Sequence, residues 1–220
     1  MDFVCFRGFP CRQIDLPTHK HTKHVYLQME TKLLTERTIK VAVIGHSCCG
    51  KRAFVKRVLR KSYSHSSSPM ISFEFESSHE VRYNESIVWV FTILPGNKEF
   101  MKNCLPSLQD AEAVIICRDI KAEDEDDETF FKQMKETIRT HTHHASIFAV
   151  YTKNDRQSME YEPYPPNLMK GIQYLGMTSA KLNTGFEDLL DKVYIHLPLI
   201  PYRLAIEEED DDPPSCCCFM

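Results

Sequence analysis

An apolar strand, residues 41–44 (VAVI), runs directly into Gly45, His46, Ser47, Cys48, Cys49, Gly50, Lys51 and Arg52. Two glycines separated by four residues and followed by a lysine make a phosphate-cradling loop. Backbone N–H groups curl around phosphate oxygens, the helix that follows adds positive potential, and the lysine places a cation on the terminal phosphates. The next position ordinarily carries Ser or Thr, whose hydroxyl holds Mg²⁺; here it is Arg52. The loop therefore predicts phosphate binding and puts the metal in doubt. Arg52 admits two readings: its guanidinium lies near a nucleotide's β-phosphate and supplies part of the missing charge, or it points to solvent. Cys48 and Cys49 serve either redox chemistry, because a helix N-terminus lowers thiol pKa, or packing.

Two further loops carry nucleotide chemistry. Thr152-Lys153-Asn154-Asp155 follows the apolar run ending at Tyr151. A carboxylate there can accept both N1–H and N2–H of guanine, which selects guanine over adenine. The lysine stem packs beside the base and the glycine loop. Thr178-Ser179-Ala180-Lys181 follows a short strand at Gln173–Met177, and its backbone N–H groups can hold the guanine O6. Each loop alone is an ordinary strand-end sequence. Their order, each at a predicted strand end, is what carries the reading.

The elements that must position these loops alternate. A strand at 39–44 precedes the loop, and a helix over about 51–61 follows it, with Phe54, Val55, Val58 and Leu59 at helical spacing. Residues 62–69 are polar and end in proline, hence a loop. Ile71, Phe73 and Phe75 alternate with polar residues and predict a half-buried strand, paired antiparallel through a turn near Asn84 with a central strand at Ile87–Leu94. Helices are expected over about 98–109 and 128–140, and buried strands at Val114–Cys117 and Ile147–Tyr151. Thr184 and Glu187 read as a capping box that opens a last helix, with Phe186, Leu189, Leu190, Val193 and Leu197 inward and Pro198 as its stop. This alternation predicts an α/β fold, a mostly parallel sheet with helices on both faces, and ligands at the carboxyl ends of its strands.

With these three loops in place the chain resembles a Ras-superfamily small G protein over about residues 38–198. Gly45–Lys51 matches the phosphate motif, Thr152-Lys153-x-Asp155 the base motif in its Thr variant, and Thr178–Lys181 followed by Gly185-Phe-Glu-Asp188 is similar to the family's last loop. The resemblance implies a Ras-like P-loop G domain with a six-stranded sheet and five helices, GDP and GTP as ligands with Mg²⁺, and protein effectors or regulators as partners. It implies that Gly45, Gly50 and Lys51 hold phosphate and that Lys153, Asp155 and Ala180 hold the base, with Ser179 and Lys181 in the same loop. No residue emerges as a catalyst.

The chain departs from that pattern where the metal belongs. The first switch of the family offers Mg²⁺ a threonine; Ser68-Pro69-Met70-Ile71 falls at the expected distance, with Met70 in its place. A thioether is a poor ligand for a cation that demands oxygen. The second switch begins with an aspartate; here Gly96 is kept but Ile93 replaces the acid, and Asn97 stands near the water-orienting glutamine's place. With Arg52, Met70 and Ile93 in one coordination shell, Mg²⁺ is doubtful and GTP hydrolysis is expected to be weak or absent. Two other readings stay open: a nucleotide-free pseudo-GTPase that serves as an interaction scaffold, and an ordinary GTPase with an unconventional metal site.

The remaining segments speak to location. Residues 1–37 form an extension with a His-rich basic tract at 18–24, and residues 199–220 an acidic tail. Two acidic runs, 123–128 (EDEDDE) and 207–212 (EEEDDD), leave the rest of the chain net basic although its total charge is −4. The first suits a helix N-terminus. His141, His143 and His144 sit where that helix ends, where cations are favoured. Cys217-Cys218-Phe219-Met220 fits Cys-a-a-X with a farnesyl preference, and the Cys216–Cys218 run is also similar to double-cysteine geranylgeranyl ends. One lipid binds marginally, so palmitate on Cys216 is the expected second anchor. Nine cysteines without scaffold spacing point to a reducing compartment. The expectation is a cytoplasmic protein attached to the cytosolic face of a membrane, with no nucleic-acid partner.

Overall fold

In a computed structural model of the chain, the described residues are 36–63, 68–82, 85–123, 125–156 and 170–197. Six strands appear among them: β1 (Glu36–Ile44), β2 (Glu74–Arg82), β3 (Glu85–Ile93), β4 (Ala113–Asp119), β5 (Ser146–Thr152) and β6 (Gln173–Met177). They form one sheet in the order β2-β3-β1-β4-β5-β6. Only the β2–β3 pair is antiparallel; β3, β1, β4, β5 and β6 run parallel. The helices are α1 (Lys51–Val58), α2 (Lys98–Cys104), α3 (Asp127–Arg139) and α4 (Leu189–Ile195), with single 3₁₀ turns at Leu105–Leu108 and Asn154–Arg156. A fifth α-helix, implied by the family resemblance, is not found among the described residues.

Strand alternation divides the core into two layers. Ile39, Val41 and Val43 of β1 join Ile87, Trp89, Phe91 and Ile93 of β3 beneath α1 and α4. Ala42 and Ile44 face the other way and pack with Val114, Ile116, Ile147 and Ala149 against α2 and α3. Successive strand residues point to opposite faces, so one apolar strand supplies both layers. A parallel sheet covered on both faces requires this. The Trp89 indole N–H donates to Glu80 Oε1 at 2.5 Å, which satisfies the one polar atom of the largest core side chain.

Several boundaries differ from the sequence expectation. α1 ends at Val58 rather than near 61, because Arg60 adopts a left-handed backbone (φ 56°). Ile71 and Phe73 precede β2 and are exposed, as is Phe75 within it; the half-buried strand at 71–75 starts instead at Glu74. The helix expected to 109 tightens into the 3₁₀ turn at Leu105, next to Pro106. The capping box does not open α4: Thr184 exchanges two backbone hydrogen bonds with Ser179, and α4 starts at Leu189 after Asp188. The His-rich tract, the acidic tail, Pro198 and Cys216–Cys218 lie outside the described residues. No helix among the described residues is long and apolar enough to cross a membrane.

Candidate functional site

The loop leaving β1 turns on residues that tolerate positive φ: Gly45 at 144° and Gly50 at 95°, with Cys48 at 60° between them. A Cβ on Gly45 would lie 2.2 Å from the carbonyl oxygen of Cys117, so only glycine fits against β4 there. Lys51 opens α1 and is buried. Its ammonium donates to the carbonyls of Gly45 (2.9 Å) and His46 (2.8 Å), which fixes it inside the curve of the loop.

The loops after β5 and β6 close on this one from the side. Thr152 Oγ1 donates to the carbonyl of Cys49, and Lys153 Nζ donates to the carbonyl of Cys48 at 2.5 Å and to Asp119 Oδ2 at 2.8 Å. Thus the lysine reaches the glycine loop. Asp155 accepts from Ser179 Oγ at 2.6 Å, with Lys181 Nζ 3.8 Å from its other oxygen. Ser179 is wholly buried, so its hydroxyl acts as a fixed support for that carboxylate. Gly50, Thr152, Lys153, Asp155, Ala180 and Lys181 line one cleft of about 390 Å³, together with Phe54 and Tyr63. Its lining suits a planar ring with polar edges: apolar walls and a few convergent polar groups. The site residues therefore fit a purine ring beside a phosphate loop.

The metal-side residues do not fit Mg²⁺. Arg52 neither points to solvent nor stands free beside the loop. Its guanidinium takes Glu74 in a two-point pair, with Nε 2.7 Å from Oε2, and donates from Nη1 to the Ser68 carbonyl at 2.5 Å. Met70 packs against the core layer of α1, and Ile93 is buried within it. A guanidinium, a thioether and a hydrocarbon offer no hard oxygen ligand. Among the described residues, no group of three or more His, Cys, Asp or Glu could hold a metal ion.

The second-switch residues do structural work. Gly96 lies on the glycine loop so closely that a Cβ would stand 2.3 Å from the Ser47 nitrogen and 2.4 Å from the carbonyl carbon of His46. Asn97, expected near a water-orienting position, caps α2 by accepting from the Glu99 N–H at 2.9 Å. His46 faces Glu125 (3.4 Å) and the edge of Phe130, which brings Glu125 and the start of α3 against the loop.

Sequence reasoning missed four contributors. Asp119 ends β4 and binds both Lys153 and Arg156; its place after an apolar run was the same signal that flagged Asp155. Arg118 is buried at 1 % exposure, over the Phe130 ring at 4.5 Å, and pairs with Asp127. Tyr63, with Arg57 over its ring at 5.6 Å, walls the cleft from within a polar run that gave no sign of it. Arg57 Nε also donates to the Ala180 carbonyl at 2.8 Å, tying α1 to the last loop.

A family model described as the Ras family matches residues 40–197. No curated protein matches the chain. The match covers most of the sequence, and the sheet order and the three converging loops accord with it: the chain belongs to the Ras family of small GTPase-like, guanine-nucleotide-binding proteins.

Proposed function

We propose that this domain, taken as residues 38–198, binds GDP and GTP in the cleft described above with weak or absent hydrolysis. The flanking segments 1–37 and 199–220 serve as an extension and an acidic tail. Lipid on Cys217, with Cys216 as a second attachment, carries the protein to the cytosolic face of a membrane, where it meets effectors or regulators in signalling or trafficking. The supporting observation is the convergence of Gly50, Lys153, Asp155 and Ala180 on one cleft beside Lys51. In this reading Gly45, Gly50 and Lys51 hold the phosphates, Asp155 pairs with the guanine edge, Lys153 flanks the ring and the Ala180 N–H meets O6. When bound, the nucleotide supplies the phosphoanhydride; the chain supplies binding and orientation. Weak hydrolysis follows from Arg52, Met70 and Ile93, because metal charge and water positioning are most of what such sites contribute to rate.

Calorimetric titration with GDP, with and without EDTA, tests the reading. Expected is binding that chelation changes little, and that Asp155→Ala weakens roughly a hundredfold through loss of a two-point charge-assisted contact. Mass spectrometry of nucleotide co-purifying with the protein, and of the C-terminal peptide, checks the ligand and the lipid. A second reading, a nucleotide-free interaction scaffold, has one observation in its favour: Lys51 and Arg52 are already engaged by groups of the chain itself. No nucleotide co-purifying with the protein, together with no rise in Tm on adding GDP, would favour it over the first.

A further inference from the structure

One side chain of α1 holds both ends of segment 68–74. Arg52, the second residue of α1, reaches Ser68 at one end of the described segment and Glu74, the first residue of β2, at the other. One planar fork therefore fastens both ends, with three donors used and a two-point carboxylate contact among them. Between these ends, Met70 packs into the core layer of α1. The cleft lined by Gly50, Thr152, Lys153, Asp155 and Ala180 includes none of Arg52, Ser68, Met70 or Glu74 in its walls.

Where a GTPase orders this segment through a metal and a terminal phosphate, its order follows the nucleotide. Here the position that would hold the metal carries a permanent cation instead, since a guanidinium does not lose its proton in proteins. A ligand shifts a conformational equilibrium only by its differential affinity for the two states. A segment held by Arg52 and Met70 gives the nucleotide no such leverage.

We propose that the Arg52–Glu74–Ser68 clasp replaces the metal as the fastening of segment 68–74, so that this segment keeps one conformation whatever occupies the cleft. Exposed Ile71 and Phe73 are then displayed in the same arrangement in every nucleotide state, and a protein partner that reads them reads no nucleotide signal. Only the ligand comparison rests on the guanine-nucleotide reading; the clasp itself is testable without ligand.

Hydrogen–deuterium exchange of peptides covering 68–76, on the full-length protein, separates the two. Without nucleotide, Arg52→Ser should raise exchange in this segment about tenfold or more while α3 and β5 stay unchanged, and the exchanged pair Arg52→Glu with Glu74→Arg should restore protection only in part, because a carboxylate at position 52 cannot donate to the Ser68 carbonyl. In wild type, adding GDP or a non-hydrolysable GTP analogue with Mg²⁺ should leave the segment's exchange unchanged, while peptides covering 152–156 slow. Wild-type protection in 68–76 that appears only with nucleotide and Mg²⁺ overturns the proposal, as does Arg52→Ser exchanging like wild type. Unchanged exchange at 152–156 would instead count against nucleotide binding and leave the Arg52→Ser comparison standing as the test of the clasp. Glu74→Gln, a milder change at the exposed end of the pair, should loosen the same peptides without unfolding the domain.

Discussion

Cys48 and Cys49 are neighbours in one loop with opposite exposure. Cys48 is exposed, while Cys49 and Cys117 are buried. Burial pushes the Cys49 thiol up, with the ammonium of Lys51 drawing it only partly back; burial raises Cys117 well above the ordinary range. The thiolate is the reactive form. Brief alkylation of the native protein at pH 7.5, read by peptide mass spectrometry, should therefore mark Cys48 well ahead of Cys49 and Cys117, which react only after denaturation. Equal labelling of Cys48 and Cys49 would contradict the placement of this loop. Ser179 illustrates support at the same scale. Its hydroxyl donates to Asp155 and accepts from the Leu182 N–H at 3.1 Å. Ser179→Ala removes one hydrogen bond to a carboxylate, so GDP affinity should fall about tenfold, roughly 1.5 kcal/mol. Calorimetry comparing this variant with Asp155→Ala should rank it clearly the milder of the two.

At the scale of elements, α3 is held at its start by charge. Asp126 caps it, accepting from the Thr129 N–H at 2.8 Å, and that bond keeps its carboxyl below the ordinary aspartate range. A carboxylate whose folded pKa is depressed contributes stability above its unfolded value and loses it as pH falls through the folded value. The Asp126→Asn variant should therefore differ from wild type less at pH 3 than at pH 7 in thermal unfolding. One residue later, Asp127 accepts from Arg118 (2.9 Å) and from the Tyr151 hydroxyl (2.5 Å). Arg118 is almost wholly buried, so Asp127→Ala takes away its carboxylate while leaving the Glu125 carbonyl and the Phe130 ring, and should cost about 3 kcal/mol in urea denaturation. The double variant with Arg118→Leu should recover part of that loss. The sequence predicts a helix over about 128–140, and the face of Phe130, Phe131, Met134 and Ile138 on α3 is buried. It showed the acids as an undifferentiated run, because which acid caps, which pairs with Arg118 and which meets His46 depends on contacts between separate elements. The same limit governed Thr184: a local capping pattern lost to a backbone bridge with Ser179 that only tertiary placement creates.

Across the whole described fold, the cleft proposed for the nucleotide draws on residues far apart in sequence that share the carboxyl ends of β1, β5 and β6. Parallel strands carry their outgoing loops to one edge of the sheet, so three distant motifs meet without being adjacent in the chain. That is why the cleft could be read from strand ends, whereas the Arg52–Glu74 pairing, which crosses from a helix to an edge strand, could not. The cleft is also coupled to folding. A ligand that binds only the folded state stabilises it by mass action, about 2.7 kcal/mol at a hundredfold excess over Kd. For a domain of this size that corresponds to a rise in Tm of about 5–10 °C. In a metal-dependent G protein most of this rise is lost on chelation. On the proposed reading Arg52, Met70 and Ile93 offer a metal no oxygen ligand, so the increment with GDP should be the same in Mg²⁺ and in EDTA. Differential scanning calorimetry across a GDP series in both buffers measures it directly, and a rise that EDTA abolishes would show that a divalent ion is still held at the phosphates by other means.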